Sequence, residues 1–227
     1  GETILDAAPV NAGDYTAYIK YEGAGVSVYF TIAKADSAIT AAPTAIADLV
    51  YDGSAQNLIN AGTATGGEMQ YSLDGTNYSP TIPTGTDAKT YIVWYKVVGD
   101  ENHNDTEPAS VEVTVTPKSV TVTADDKSKT YGEADSEFTY TATGLVGSDT
   151  LTGTLSRETG DNVGTYAITQ GTLNNPNYDI AFVEGTFTIN KATPVSLETP
   201  EAAAITYGDT LSSSVLDDSS WAWLDGT

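Results

Sequence analysis

One histidine, no cysteine and a scatter of acidic pairs are what this 227-residue sequence offers for catalysis. His103 lies in the polar run Gly99-Asp100-Glu101-Asn102-His103-Asn104-Asp105, and a Ser/His/Asp-type nucleophilic mechanism would have to use it. Without a second imidazole or a thiol it reads as a solvated loop residue. The carboxylates of the same run, with Asp125-Asp126 and Asp217-Asp218, are the hard oxygen ligands that calcium prefers. None has the alternating acidic spacing of a known calcium loop, and so acidic a chain forms such pairs by chance. The expectation is no enzyme and no cofactor, with structural calcium as the alternative.

Two aromatic residues could bind rather than react. Tyr18 and Trp94 fall three positions after equivalent tyrosines, on the strand face opposite the apolar one, where a ring can stack on a sugar or cover its own sheet. They are the candidate ligand-binding residues, for a host glycan or mucin. Thr169 holds the third equivalent position, so this role would not be repeated throughout. Lys34, Lys118 and Lys191 raise the thought of intramolecular lysine–asparagine links, but they lie outside the apolar alternation, where a lysine is not buried.

The elements that carry these residues recur. Asn11-Ala12-Gly13-Asp14-Tyr15, Asp87-Ala88-Lys89-Thr90-Tyr91 and Asn162-Val163-Gly164-Thr165-Tyr166 share one pattern, with 76 residues from Tyr15 to Tyr91 and 75 from Tyr91 to Tyr166. That period is close to a small β-sandwich and too long for a solenoid turn. A tyrosine after a turn, opening strand F of an immunoglobulin-like sandwich, sends its hydroxyl back to the upstream backbone. Tyr15, Tyr91 and Tyr166 are therefore expected as buried structural corners. Ala17, Val93 and Ile168, two positions on, stand where antibody domains place a cysteine, so each core must close by apolar packing. Lys89, in the place of Gly13 and Gly164, suggests that the second corner differs in detail.

Composition bounds the function. Nine basic residues against 31 acidic ones give a net charge of −22, which repels nucleic-acid phosphates and anionic membrane surfaces. No run approaches the ~18 apolar residues of a membrane span. The chain begins at Gly1 and its one methionine is Met69, so a piece of a longer protein is expected.

Four segments follow in order. Residues 1–35 read as the C-terminal half of a repeat: a short strand near Thr3-Ile4-Leu5, the corner, strand F through Tyr21 and strand G at Val26–Ala33. Residues 36–117 read as a whole repeat with the Leu49-Val50-Tyr51-Asp52-Gly53 turn, a hairpin at Asp74-Gly75, strand F alternating Tyr91, Val93, Tyr95, Val97, and strand G at Val111–Thr116. Residues 118–192 form a second whole repeat, with strands at Phe138–Thr143 and Thr150–Ser156. Residues 193–227 read as the N-terminal half of a further one, Tyr207-Gly208-Asp209 matching Tyr131-Gly132-Glu133. The junctions around Lys34, Lys118 and Lys191 lack Gly/Ser linkers, so the joints should be stiff. The fold expected is all-β: tandem immunoglobulin-like sandwiches in a rod, with a half repeat at each end.

Tyr131-Gly132-Glu133, Thr143-Gly144-Leu145, Leu151-Thr152-Gly153-Thr154-Leu155-Ser156-Arg157, Asn162-Val163-Gly164-Thr165-Tyr166 and Gly185-Thr186-Phe187-Thr188-Ile189 together resemble the bacterial repeat called MBG, YGX type. The resemblance covers residues 118–192 and, as fragments, 1–35 and 193–227; residues 36–117 resemble a related bacterial Ig-like repeat. It implies a tandem module of a secreted or wall-attached bacterial protein, often an adhesin, with no catalytic residues to carry over. The function expected is an extracellular, adhesive stalk or fibre module, the alternative a glycan- or mucin-binding module. Two half repeats with open edges also lead to the expectation of head-to-tail self-association into a filament, residues 193–227 with Tyr207, Trp221 and Trp223 completing the half that carries Tyr15 and Phe30.

Overall fold

The computed structural model describes residues 7–194 and 203–210, and these form strands, turns and irregular connections with no helix. Among the described residues no helix is long and apolar enough to cross a membrane. The first element among the described residues is an antiparallel hairpin, Gly13–Tyr21 against Ala24–Ile32, in unbroken register from Gly13↔Ile32 to Tyr21↔Ala24. Its two-residue turn has positive φ at both Glu22 and Gly23, the type I′ combination whose twist suits a tight hairpin. Tyr15, Ala17 and Ile19 alternate with Thr16, Tyr18 and Lys20 as the pattern predicts, yet Ile19, Val26 and Val28 are all more than half exposed. Period-2 sequence here specifies a strand without burying it. Trp221 and Trp223, like Thr3-Ile4-Leu5, lie outside the described residues.

Between Ala35 and Thr116 the main sheet runs Gly67–Ser72, Lys89–Gly99, Ala109–Thr116, Leu49–Val50 in spatial order, antiparallel except for the last pair. Four short ladders complete this segment: Ala38–Ala41 with Thr63–Thr65, Thr44–Ala45 with Ile59–Asn60 and Gln56–Asn57 with Thr84–Gly85, all antiparallel, and Ala35–Asp36 with His103–Asn104, parallel. Leu58, Ile59, Tyr71, Val93, Val97, Val113 and Val115 are buried between these layers. Alternation in strand F does its expected work here, Val93 and Val97 fully inside and Ile92 out. At Asp74-Gly75 the turn is longer than two residues. The Asp74 carboxylate accepts from the amides of Thr76 and Asn77, from the Asn77 side chain and from the Ser72 hydroxyl, which together hold it far below the usual carboxylate pKa range.

Residues 118–190 make two further sheets, and no sheet takes strands from both sides of Pro117. One has Lys118–Ala124 between Tyr140–Thr143 and Tyr178–Val183; the other runs Lys127–Thr130, Gly185–Asn190, Gly164–Thr169, Ser156–Arg157. Val120, Val122 and Tyr178 from the first meet Ile168, Phe187 and Ile189 from the second, with Leu151, Leu155 and Leu173 filling the end. The strand expected at Thr150–Ser156 is not regular. Thr152 makes a single bridge to Asn174, and only Ser156–Arg157 pairs in a ladder. Gly153 interrupts it with φ +93°, at a place where a Cβ would collide with the Thr172 carbonyl oxygen. Leu151 and Leu155 both reach the core from either side of that kink.

Candidate functional site

The three corners have one geometry. The hydroxyls of Tyr15, Tyr91 and Tyr166 donate to the backbone carbonyls of Asn11, Asp87 and Asn162, at 3.0, 3.0 and 2.8 Å. Each phenol thereby ties down the turn that precedes its strand. All three rings are half-buried and not buried as expected, because the hydroxyl must come out to reach an exposed turn. Two of them lie on glycines: a Cβ at Gly85 would sit 2.6 Å from the Tyr91 ring, and one at Gly160 would collide with the Tyr166 ring. Lys89 keeps the second corner intact and places its ammonium 4.8 Å from the Tyr91 ring centroid.

Tyr18 and Trp94 also lie over glycines. A Cβ at Gly25, across the hairpin, would collide with the Tyr18 ring, and a Cβ at Gly75 would sit 3.4 Å from the Trp94 Nε1. A flat ring over a bare backbone restores the contact that a glycine forfeits. Tyr18 nevertheless leaves 62% of its surface in solvent, whereas Trp94 is half-buried.

His103 is less exposed than the sequence suggested. Its Nδ1 is 2.6 Å from Asp100 Oδ1, and its ring presses on Gly66, which has φ +75° and no room for a Cβ. The imidazole and the Asn102 amide hold the Asp100 carboxyl below its ordinary range. Asp105 is engaged by Lys96 and the Gly99 amide, Asp126 by the Thr186 amide, Asp125 by the Thr139 hydroxyl. Among the described residues no three acidic or imidazole side chains converge as a metal site.

The closest approach to a built site is at the joints. Asn102 accepts a hydrogen bond from the Ala12 amide at 2.8 Å and gives one to the Asn11 side chain at 3.3 Å. Asn177 accepts from the Ala88 amide at 2.8 Å and donates to Asp87 at 3.4 Å. In both cases an asparagine of the following segment grips the two residues that open the preceding corner. Both asparagines are preset by an Asx turn, the Asn102 amide donating to Asp100 Oδ1 at 2.8 Å and the Asn177 amide to Asn175 Oδ1 at 3.0 Å. Backbone bonds lock the connection beside each grip, Ala35 N–H to Asn102 O and Lys118 N–H to Asn177 O. At the first joint the Lys34 ammonium adds bonds to the Asp100 and His103 carbonyls.

The second joint holds more. Tyr51 and Tyr178, both buried, meet edge to face at 5.4 Å, and their hydroxyls donate to one oxygen of Asp149 at 2.7 and 2.6 Å. The Asp149 hydrogen bond and burial push the Tyr51 phenol up to about 12 and, with burial first, raise Tyr178 as well; the two phenols hold Asp149 low. Gly53 packs on Val146 beside them. Sequence reasoning singled out neither Asn102, Asn177 nor Asp149. A signal did exist, an Asp/Asn-x-Asn triplet ending eleven positions after each of Tyr91 and Tyr166.

Residues 120–188 match the family model of the MBG domain (YGX type). Repeats of this family are typical of surface proteins, which points to a surface-protein repeat module for that part of the chain. Neither a curated protein nor a solved structure matches the chain.

Proposed function

We propose that this chain is a non-enzymatic stalk or fibre segment of a bacterial surface protein, held outside the cell, with adhesion as its biological outcome. The observation that supports it best is the recurrence of one hydrogen-bonded grip at both joints, Asn102 on Asn11-Ala12 and Asn177 on Asp87-Ala88. Successive units so pinned transmit orientation from one to the next, which is what a spacer requires and an enzyme does not. The segment works without a cofactor and, at net charge −22, without nucleic acid. Small-angle scattering tests this: an extended particle with no change on adding glycans supports it, while a compact particle or turnover of a glycan or peptide bond by the pure protein refutes it.

Head-to-tail self-association is the second reading, favoured by the hairpin Gly13–Tyr21/Ala24–Ile32, both faces of which are exposed. Two strands alone are marginal in water, so the apolar residues Ile19, Val26 and Val28 call for a second layer. Residues 193–227 of another copy would supply it. Sedimentation of the intact chain against one lacking residues 1–25 distinguishes the cases, since only the intact chain should then form polymers. Glycan or mucin binding through Tyr18 and Trp94 is the rival, and it requires a specific array signal that Trp94→Ala abolishes.

A further inference from the structure

The turn that gives the YGX repeat its signature is built the same way twice. In Thr130-Tyr131-Gly132-Glu133 the Glu133 amide donates to the Thr130 carbonyl while the Glu133 carboxylate accepts from the Thr130 amide; Thr206 and Asp209 repeat both bonds. Gly132 and Gly208 take φ +92° and +100°, as the third position of a type II turn requires. The turn therefore holds its tyrosine out from the backbone. Tyr131 is 54% exposed and Tyr207 fully so.

Tyr51 occupies the corresponding place in residues 36–117. Its amide donates to the carbonyl of Thr116 in the last strand of its own segment, as that of Tyr131 does to Asn190, at 2.9 and 2.8 Å. Yet Tyr51 is 6% exposed, because Asp149 and Tyr178 of the following segment close over it. The corner turns differ in the same sense. Ala12 and Ala88, whose amides are gripped, are half-buried, whereas the equivalent Val163 is 45% exposed. One end face is thus covered in residues 36–117 and open in residues 118–192.

We infer that Tyr131 and the Asn162-Val163 turn form a docking face for a further repeat, joined through Lys191, that carries an Asx-turn asparagine followed by a ring and a loop carboxylate, as Asn177, Tyr178 and Asp149 do. The signature tyrosine is then a joint residue whose partner lies in the next unit, and the core of its own repeat does not need it. The Asn162 carbonyl is already occupied by Tyr166, so the incoming asparagine has the Val163 amide and the Asn162 side chain to grip, the pair that Ala88 and Asp87 offer to Asn177. The inference stands on the two joints alone, and it holds whether or not the protein is an adhesin.

Amide hydrogen exchange tests it in the present chain and in one whose residues from Lys191 onward are replaced by a second copy of residues 118–192. In the present chain Ala12 and Ala88 should exchange slower than Val163 by about fivefold or more, the factor expected for one net hydrogen bond. In the extended chain Val163 should slow to the level of Ala88, and Tyr131 should lose its reactivity toward iodination. Asn177→Ala in the added copy alone should return Val163 to fast exchange with the Val93 amide unchanged. Should that variant fail to fold, Asn177→Asp retains an acceptor for Val163 and loses only the bond to Asn162, so it should keep Val163 slow. Val163 and Tyr131 as reactive in the extended chain as in the present one, or an Ala88 amide indifferent to Asn177→Ala, would overturn the inference.

Discussion

The hairpin of residues 13–32 and the strand pair Gly164–Thr169/Gly185–Asn190 are the same element in two settings. Tyr15 faces Phe30 across the first as Tyr166 faces Phe187 across the second, and Gly13↔Ile32 matches Gly164↔Ile189. Both corners close with the same phenol-to-carbonyl bond. Phe187 is nevertheless fully buried while Phe30 is 39% exposed. Over Phe187 lie Phe138 at 5.6 Å, edge on, and the Arg157 guanidinium at 4.9 Å, both brought by earlier strands and loops of the same repeat. Phe30 has the stacked ring of Tyr15, 5.7 Å away, on its own hairpin. Corner and ladder are therefore local properties, and burial is contributed by sequence about thirty to fifty residues upstream.

The sharpest test of that contrast is a matched pair of truncations. Phe187→Ala should cost about 3–5 kcal/mol in denaturant unfolding, whereas Phe30→Ala should stay within about 0.5 kcal/mol. Equal losses would mean that the hairpin has a covered face after all.

Titration separates the two joints. Tyr51 is raised in the folded protein, so its contribution is complete below the ordinary phenol value near 10 and disappears as pH rises from there to about 12. Asp149 is depressed, so what it contributes is present above 3.8 and is lost as pH falls through its lower folded value. Absorbance near 295 nm should show Tyr51 ionising after the exposed tyrosines, and Asp149→Asn should bring it down. The first joint has no such phenol, and its acid sensitivity comes through Asp100, whose carboxylate presets Asn102. The protection of the Ala12 amide, its exchange corrected for the intrinsic pH dependence, should thus fall in acid before it falls in alkali, and the opposite order would refute this assignment.

Tyr91→Phe and Tyr166→Phe should each cost about 1 kcal/mol, the net value of one hydrogen bond, and Tyr15→Phe should be silent in global unfolding because its hairpin lacks a covering layer. Smallest of all is the effect of metal: adding calcium or a chelator should leave the thermal midpoint unchanged, and a rise with calcium would revive the acidic loops as ligands.

Much of the scaffold was legible in the sequence because it rests on local rules. Tyrosine after a turn, period-2 alternation and glycine-bearing turns each declare themselves within a few residues. The joints were illegible for a different reason: the groups that Asn102 and Asn177 grip are in part backbone amides, of Ala12 and Ala88, and a backbone amide has no letter of its own. Sequence alone leaves His103 in solvent because the glycine that admits its ring, Gly66, is 37 positions away. Alternation makes a strand of Thr150–Ser156 because the constraint on Gly153 comes from Thr172, across a loop. Tyr18 and Trp94 each lie against a glycine that alternation alone does not identify, Gly25 on the neighbouring strand and Gly75 in a turn.

Parallel pairing of an early strand with the last one decides how such a chain bears tension. In residues 118–190, Lys127–Thr130 runs alongside Phe187–Asn190 in the same direction. Pulling the two ends of this segment apart slides these strands past each other, so their hydrogen bonds share the load and must yield together. In residues 35–116 the parallel contacts are two pairs each, Leu49–Val50 with Val115–Thr116 and Ala35–Asp36 with His103–Asn104. The antiparallel hairpin at residues 13–32 has adjacent ends and would open one bond at a time, like a zipper. Under force the molecule has graded links, with resistance rising from the hairpin through residues 35–116 to residues 118–190, and the order in which they give way is set by unfolding rates more than by equilibrium stability.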